Sequence, residues 1–151
     1  MNGNGHTGTG WGYAVEGRPS MMLQVALRWV SRDGLAPAEL PACDGDACGW
    51  VRQVAECLRG GRCRAAVLFC HDAPLACCVA NKVPGVRAAA VWTVPQAVRA
   101  LGRLGANLLV VEMADRTYFE CREMLRLCRA GADCPPGVAG VLGELDGHAH
   151  R

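Results

Sequence analysis

The residues best placed to do chemistry lie at the end of the apolar run Arg64-Ala-Ala-Val-Leu-Phe-Cys70, where a thiol is followed directly by His71 and Asp72. A small-residue segment of helical character continues to Ala80, and Asn81-Lys-Val-Pro-Gly then turns into a second apolar run that begins at Val86. This is a strand–helix–strand pattern with a nucleophile-capable cysteine at the carboxyl end of its first strand. In open α/β sheets that is where ligands bind. The bland use of the same residue is a small buried hydrophobe.

The elements that must position this thiol follow from composition and periodicity. With 151 residues and 51% hydrophobic content, the chain is sized for one domain with a real core. A net charge of +2 makes no case for nucleic acid or an acidic membrane surface. No apolar run reaches the ~18 residues that a membrane span needs. All of the 16 basic residues except Lys82 are arginine, a coding bias rather than a basic function. Ten cysteines are many for this length, yet no CxxC occurs, so neither a zinc site nor another metal is expected. Residues 1–10 lack the charged and apolar segments of a secretory signal, so a cytoplasmic protein with reduced thiols is expected.

Along the chain, residues 1–10 read as a flexible terminus, 11–131 as one α/β domain and 132–151 as a mobile, Gly/Pro-rich tail carrying His148 and His150. Gly8-Thr-Gly10-Trp-Gly12 lacks the preceding strand and the Gly-Lys-Ser/Thr of a phosphate loop. Residues 11–15 suit a short strand. In the next segment Met22, Val25, Ala26, Trp29 and Val30 recur at helical spacing, closed by Asp33-Gly34. A second strand around 38–40 must be short, because prolines flank it. Residues 48–58 form a helix with Val51, Val54, Ala55 and Leu58 on one face. Strands at 65–70, 86–92 and 107–111 alternate with helices, one capped by Thr93 and running through Arg103, the last capped by Asp115 or Thr117. On that last helix Phe119, Met124, Leu125, Leu127 and Cys128 supply the apolar side. The expected fold is a three-layer, doubly wound parallel sheet of about five strands, Rossmann-like.

Ala80-Asn-Lys-Val-Pro-Gly-Val-Arg-Ala88 resembles the Ala-Asn-Lys-x-x-Gly-Ile-Arg-Ala signature of the type B ribose-5-phosphate and galactose-6-phosphate isomerase family. The similar pattern extends from about Asp46 to Val111, with Gln53-Val-Ala55 and Gly60-Gly61 also in register. The resemblance implies a metal-free and cofactor-free aldose–ketose interconversion of a sugar phosphate, with Cys70 moving a proton between C1 and C2 through an enediolate. It also implies dimers whose sites borrow residues from the neighbouring subunit. A thiol facing a helix N-terminus would have a lowered pKa, and the same dipole would favour an anion.

The departures from the pattern are as informative. The family's Gly-Thr-Gly-x-Gly oxyanion cradle is replaced by His71-Asp-Ala-Pro-Leu75, in which Pro74 has no N–H and Asp72 adds negative charge. Arg103 replaces the ring-opening histidine, Glu112-Met-Ala114 replaces a Gly-x-Arg, and Glu16-Gly17 stands where strand 1 has its Asp-His pair. The arginines that grip phosphate near the C-terminus have no match. Candidate catalytic residues are therefore Cys70, His71 and Arg103, and candidate substrate-binding residues Asp72, Asn81 and Asn107.

Two readings follow. One is a divergent isomerase acting on a sugar phosphate or similar small anion, with His71 or Arg103 taking the second role. The other is a catalytically inactive homologue that serves as a partner subunit, in a homodimer or with an intact family member, or as a small-ligand binding or regulatory module.

Overall fold

The computed structural model describes residues 10–32 and 36–148. Four parallel strands, β1 (Trp11–Val15), β2 (Ala65–Cys70), β3 (Ala88–Val91) and β4 (Leu108–Glu112), form one sheet in the order β1-β2-β4-β3. The expected strand near residue 38 contributes only a single parallel bridge, Gly12 to Ala38. Pro37 and Pro41 limit the ladder there, since neither can donate a backbone hydrogen bond.

Alternation along β2 splits the core in two. Ala65, Val67 and Phe69 face a layer containing α1 (Met21–Ser31), α4 (Val94–Arg99) and α5 (Tyr118–Ala130). Ala66, Leu68 and Cys70 face α2 (Ala47–Arg59) and α3 (Ala73–Ala80). All six β2 residues are buried, as a parallel strand covered on both sides requires. Burying a side chain such as Phe69 or Leu68 stabilises by about 1.5–3 kcal/mol.

Helix starts obey local chemistry. Asp46, Asp72 and Thr93 each cap their helix with a side-chain oxygen, and Thr117 forms a reciprocal capping box with Glu120. Thr117 rather than Asp115 therefore starts α5. The α2 face expected from the sequence is buried as a set, and Trp50 joins it.

The inward face of α1 differs from the expected one. Leu23, Ala26 and Val30 are buried, whereas Met22 and Val25 remain 43% and 42% exposed. The mixed spacing of apolar residues allowed two faces, and packing against α5 selects the one led by Leu23. On α5, Met124, Leu125 and Cys128 are buried as expected, but Phe119 in the first turn is 53% exposed. The helix from Thr93 continues past Arg99 as a π-helical turn, Ala100–Leu104, and ends at Gly105. Asp33-Gly34, Gly8-Thr9 and His150 lie outside the described residues.

The segment expected to be a tail contains a helix, α6 (Pro136–His148), none of whose residues is buried. His148 lies in its last turn. The carboxylate of Asp146 accepts the Gly85 N–H at 2.9 Å and so ties α6 to the turn before β3. Gly105 fixes the chain leading to α6. Its φ is +62°, and a Cβ there would stand 2.4 Å from Cys134 Cα.

That turn is held by two asparagines. Asn107 accepts the Arg87 N–H at 2.7 Å and donates to the Gly85 carbonyl at 3.0 Å. Asn81 accepts the Ala88 N–H at 2.8 Å and donates to the Ala88 carbonyl at 3.0 Å. Replacing Asn107 by alanine removes two hydrogen bonds and leaves the half-buried Arg87 amide without its partner. Urea unfolding of Asn107→Ala should show a loss of about 2 kcal/mol; unchanged stability would mean that the clamp does not hold the turn.

Candidate functional site

The carboxyl ends of the strands bring together Glu16 after β1, Cys70-His71-Asp72 after β2, Trp92 after β3 and Glu112 at the end of β4. α3 begins at this edge, so its first amides point out of the helix without intrahelical acceptors. The Asp72 N–H turns to the Cys70 sulfur, and the other three amides of residues 71–75 that carry a hydrogen find carboxylates. The His71 N–H donates to Glu16 Oε2 at 2.7 Å, the Ala73 N–H to Glu112 Oε1 at 3.2 Å and the Leu75 N–H to Asp72 Oδ1 at 3.1 Å. Pro74 has no N–H. Three of the four donors in this stretch are thus engaged by the chain's own acids.

Glu112 is the best-held of the three. Its second oxygen accepts the Trp92 indole N–H at 3.1 Å. That bond, the Ala73 amide and the nearby Arg116 guanidinium together hold its carboxyl below the ordinary range. Arg116 in turn donates to the Trp92 carbonyl and lies 3.4 Å from Glu120. One network therefore joins the ends of β3 and β4 to the first turns of α3 and α5.

Cys70 sits under this network. It is 2% exposed, and its Sγ contacts the Val111 carbonyl at 3.6 Å as a weak donor. Burial pushes its thiol up to about 12 and the charge of Glu16 adds to the rise; a bond from the Asp72 amide opposes it, and the charges of Glu112 and Asp72 make smaller additions. The lowered pKa expected from the helix N-terminus is therefore reversed. The dipole is real, but desolvation and three nearby carboxylates outweigh it. The thiol is neutral at pH 7.

Space is equally restrictive. The recess over the thiol, lined by Glu16, Trp50, Cys70, Asp72 and Leu75 among others, holds about 20 Å³. That is room for roughly one water.

Of the residues singled out from the sequence, Cys70, His71 and Asp72 share this edge, with His71 and Asp72 exposed. Asn81, Asn107 and Arg103 do not join them within one chain. Asn81 binds the first residue of β3, the Asn107 carbonyl accepts the Ala66 N–H at the start of β2, and Arg103 precedes β4, so all three belong to the amino-terminal edge. Arg103 is exposed, in the π-helical turn. Glu16, Glu112 and Trp92 are site residues that the sequence reading left out of its candidates. Their signal was positional: each ends or directly follows a strand. Among the described residues, no group of three or more His, Cys, Asp or Glu side chains is arranged to hold a metal.

Comparison with known proteins gives a consistent result. A family model described as Ribose/Galactose Isomerase matches residues 45–124. No curated protein matches the chain. A ribose 5-phosphate isomerase structure from Thermotoga maritima superposes with a TM-score of 0.74 at 13% identity, covering 92% of this chain and 98% of that one. The Trypanosoma cruzi type B ribose 5-phosphate isomerase gives 0.74 at 21% identity, covering 95% and 99%. The Mycoplasma genitalium ribose-5-phosphate isomerase B with bound ribulose-5-phosphate gives 0.71 at 17% identity, covering 94% and 97%. At such identities the likeness establishes the fold.

The buried thiols set the response to base. Cys70 ionises near 12 in the folded chain, and Cys63 and Cys121 near 11, against an ordinary value of 9.0. A raised folded-state pKa gives stability that is complete below the unfolded value and is lost as pH climbs towards the folded one. Unfolding free energy should therefore hold up to about pH 9 and decline between there and pH 12. In thiol alkylation at pH 8, exposed Cys48 and Cys78 should react well before Cys70; early labelling of Cys70 would contradict its assignment as a shielded neutral thiol.

Proposed function

The chain belongs to the ribose/galactose isomerase family, and from that membership we propose that it is a non-catalytic member, retaining the fold while aldose–ketose proton transfer through Cys70 has lapsed. The observation that carries this reading is the occupation of the His71 amide by Glu16 and of the α3 amides of Ala73 and Leu75 by Glu112 and Asp72. An enediolate forming beside Cys70 would need those donors, and it would meet three carboxylates instead. The base itself is absent at neutral pH, because the thiol ionises near 12.

The work left to such a chain is that of a subunit. We assign it to an assembly with a second copy or with an intact, sugar-phosphate-binding member of the family, in the cytoplasm. Support comes from α6, which buries no residue and turns Val141 and Leu145 outward at 57% and 60% exposure. Four of its thirteen residues are glycine, each costing roughly 1 kcal/mol of helix propensity, so a helix this exposed gains from a further packing surface. None of the described helices is long and apolar enough to cross a membrane.

Assays on ribose 5-phosphate and a panel of aldose phosphates should show no turnover that differs between wild type and Cys70→Ala. Turnover that Cys70→Ala abolishes would overturn the proposal and restore the divergent-isomerase reading, with His71 as the neighbouring acid or base. Purification from native cells should yield a mixed or self-associated complex rather than a monomer.

A further inference from the structure

At the edge of the sheet remote from Cys70 lies a polar cleft of about 350 Å³, lined by Gly10, Arg64, Arg87 and the 130–134 segment. Arg64 and Arg87, from different elements, both line it. Arg87 is held in place by its Nε bond to the Gly105 carbonyl at 2.9 Å, with a longer Nη1 contact to the Gly85 carbonyl at 3.5 Å. Those contacts leave further N–H groups of the fork unassigned. The Arg64 guanidinium lies beside Gly10, where an added Cβ would stand 3.3 Å from Nη2. The wall opposite is fixed by the close approach of Gly105 to the 133–134 backbone.

Neither arginine has a carboxylate within 4.0 Å among the described residues. Asp133 also lines the cleft, but beyond ion-pair distance of both. Two like charges converging on one recess repel each other, and an anion placed between them relieves that repulsion. Planar guanidinium forks match tetrahedral oxyanions in a bidentate manner. Arg87 and Cys134 also line an adjoining, mainly apolar groove of about 480 Å³ beneath α6, formed with Leu142, Leu145 and Asp146, whose carboxylate is taken by the Gly85 N–H.

We propose that the Arg64–Arg87 cleft binds a phosphate dianion, with the groove beneath α6 receiving the organic part when the ligand is a phosphomonoester. This site is distinct from the thiol edge and stands whether or not Cys70 is catalytic. It would give the fold an anion site in place of the one that its own carboxylates occupy.

Isothermal titration of the full chain with inorganic phosphate and with phenyl phosphate, at low salt, tests it. Both should bind at one site, and Arg64→Ala should weaken each at least about tenfold. Arg126→Ala removes one positive charge on exposed α5 surface and should leave both affinities unchanged. Tighter binding of phenyl phosphate supports a phosphomonoester seated in the groove, and equal binding supports free phosphate as the ligand. The proposal is overturned if neither probe binds wild type, or if Arg64→Ala binds as tightly as wild type. It is also overturned if Arg126→Ala weakens binding as much as Arg64→Ala does, since the effect would then be one of net charge. Arg87→Lys is the weaker variant, because the Nε bond to Gly105 also supports the fold.

Discussion

A parallel sheet covered on both faces must start its crossover helices at the carboxyl edge of its strands, and each such helix opens with backbone N–H groups that its own turns cannot satisfy. How those amides find acceptors governs everything at that edge. In this chain the loop into α3 and its first turn are answered by three carboxylates drawn from three places, Glu16 after β1, Asp72 at the helix cap and Glu112 at the end of β4. The arrangement ties β1 and β4 to the helix that follows β2 and fixes the edge as a closed, acidic surface. A helix N-terminus is ordinarily a place for an external anion. Here the anions are built in.

The consequences for Cys70 follow from that closure. A thiol at the end of a central strand is reactive only if its ionised form is stabilised, and the helix dipole alone supplies a limited amount of that stabilisation. Burial opposes it, and each carboxylate that satisfies an amide also places a negative charge beside the sulfur. The same three groups that complete the backbone hydrogen bonding therefore silence the thiol. Stability and proton-transfer chemistry compete for one set of donors at this edge, and hydrogen-bond satisfaction has prevailed.

At the other edge the balance is reversed. Asn81 and Asn107 hold the turn before β3 with neutral amides, the Asp146 carboxylate takes the Gly85 N–H, and neither Arg64 nor Arg87 has a carboxylate within 4.0 Å among the described residues. The two ends of one sheet thus differ in electrostatic character although the net charge of the chain is only +2.

Much of this was legible in the sequence. The apolar run into Cys70, the Asn-Lys-Val-Pro-Gly turn and the alternation of strands and helices determined the parallel α/β fold, because burial on both faces demands continuous apolar strands and helical periodicity between them. The loss of the glycines after Cys70 was equally plain, as were the missing N–H of Pro74 and the added charge of Asp72. What the sequence could not supply was distance between residues far apart in the chain. Glu16 and Glu112 are separated from the His71 and Ala73 amides by 55 and 39 positions, and only the sheet order places them there. The same holds for the inward face of α1, where Leu23 rather than Met22 or Val25 is buried because α5 packs on that side. α6 was hidden by its glycines, whose low propensity masks a helix that tertiary contacts through Asp146 and the 133–134 approach to Gly105 hold in place. The sequence determined which elements form and that the cradle had changed; the tertiary structure decided what filled the cradle, since a charge acts on a thiol through space and not along the chain.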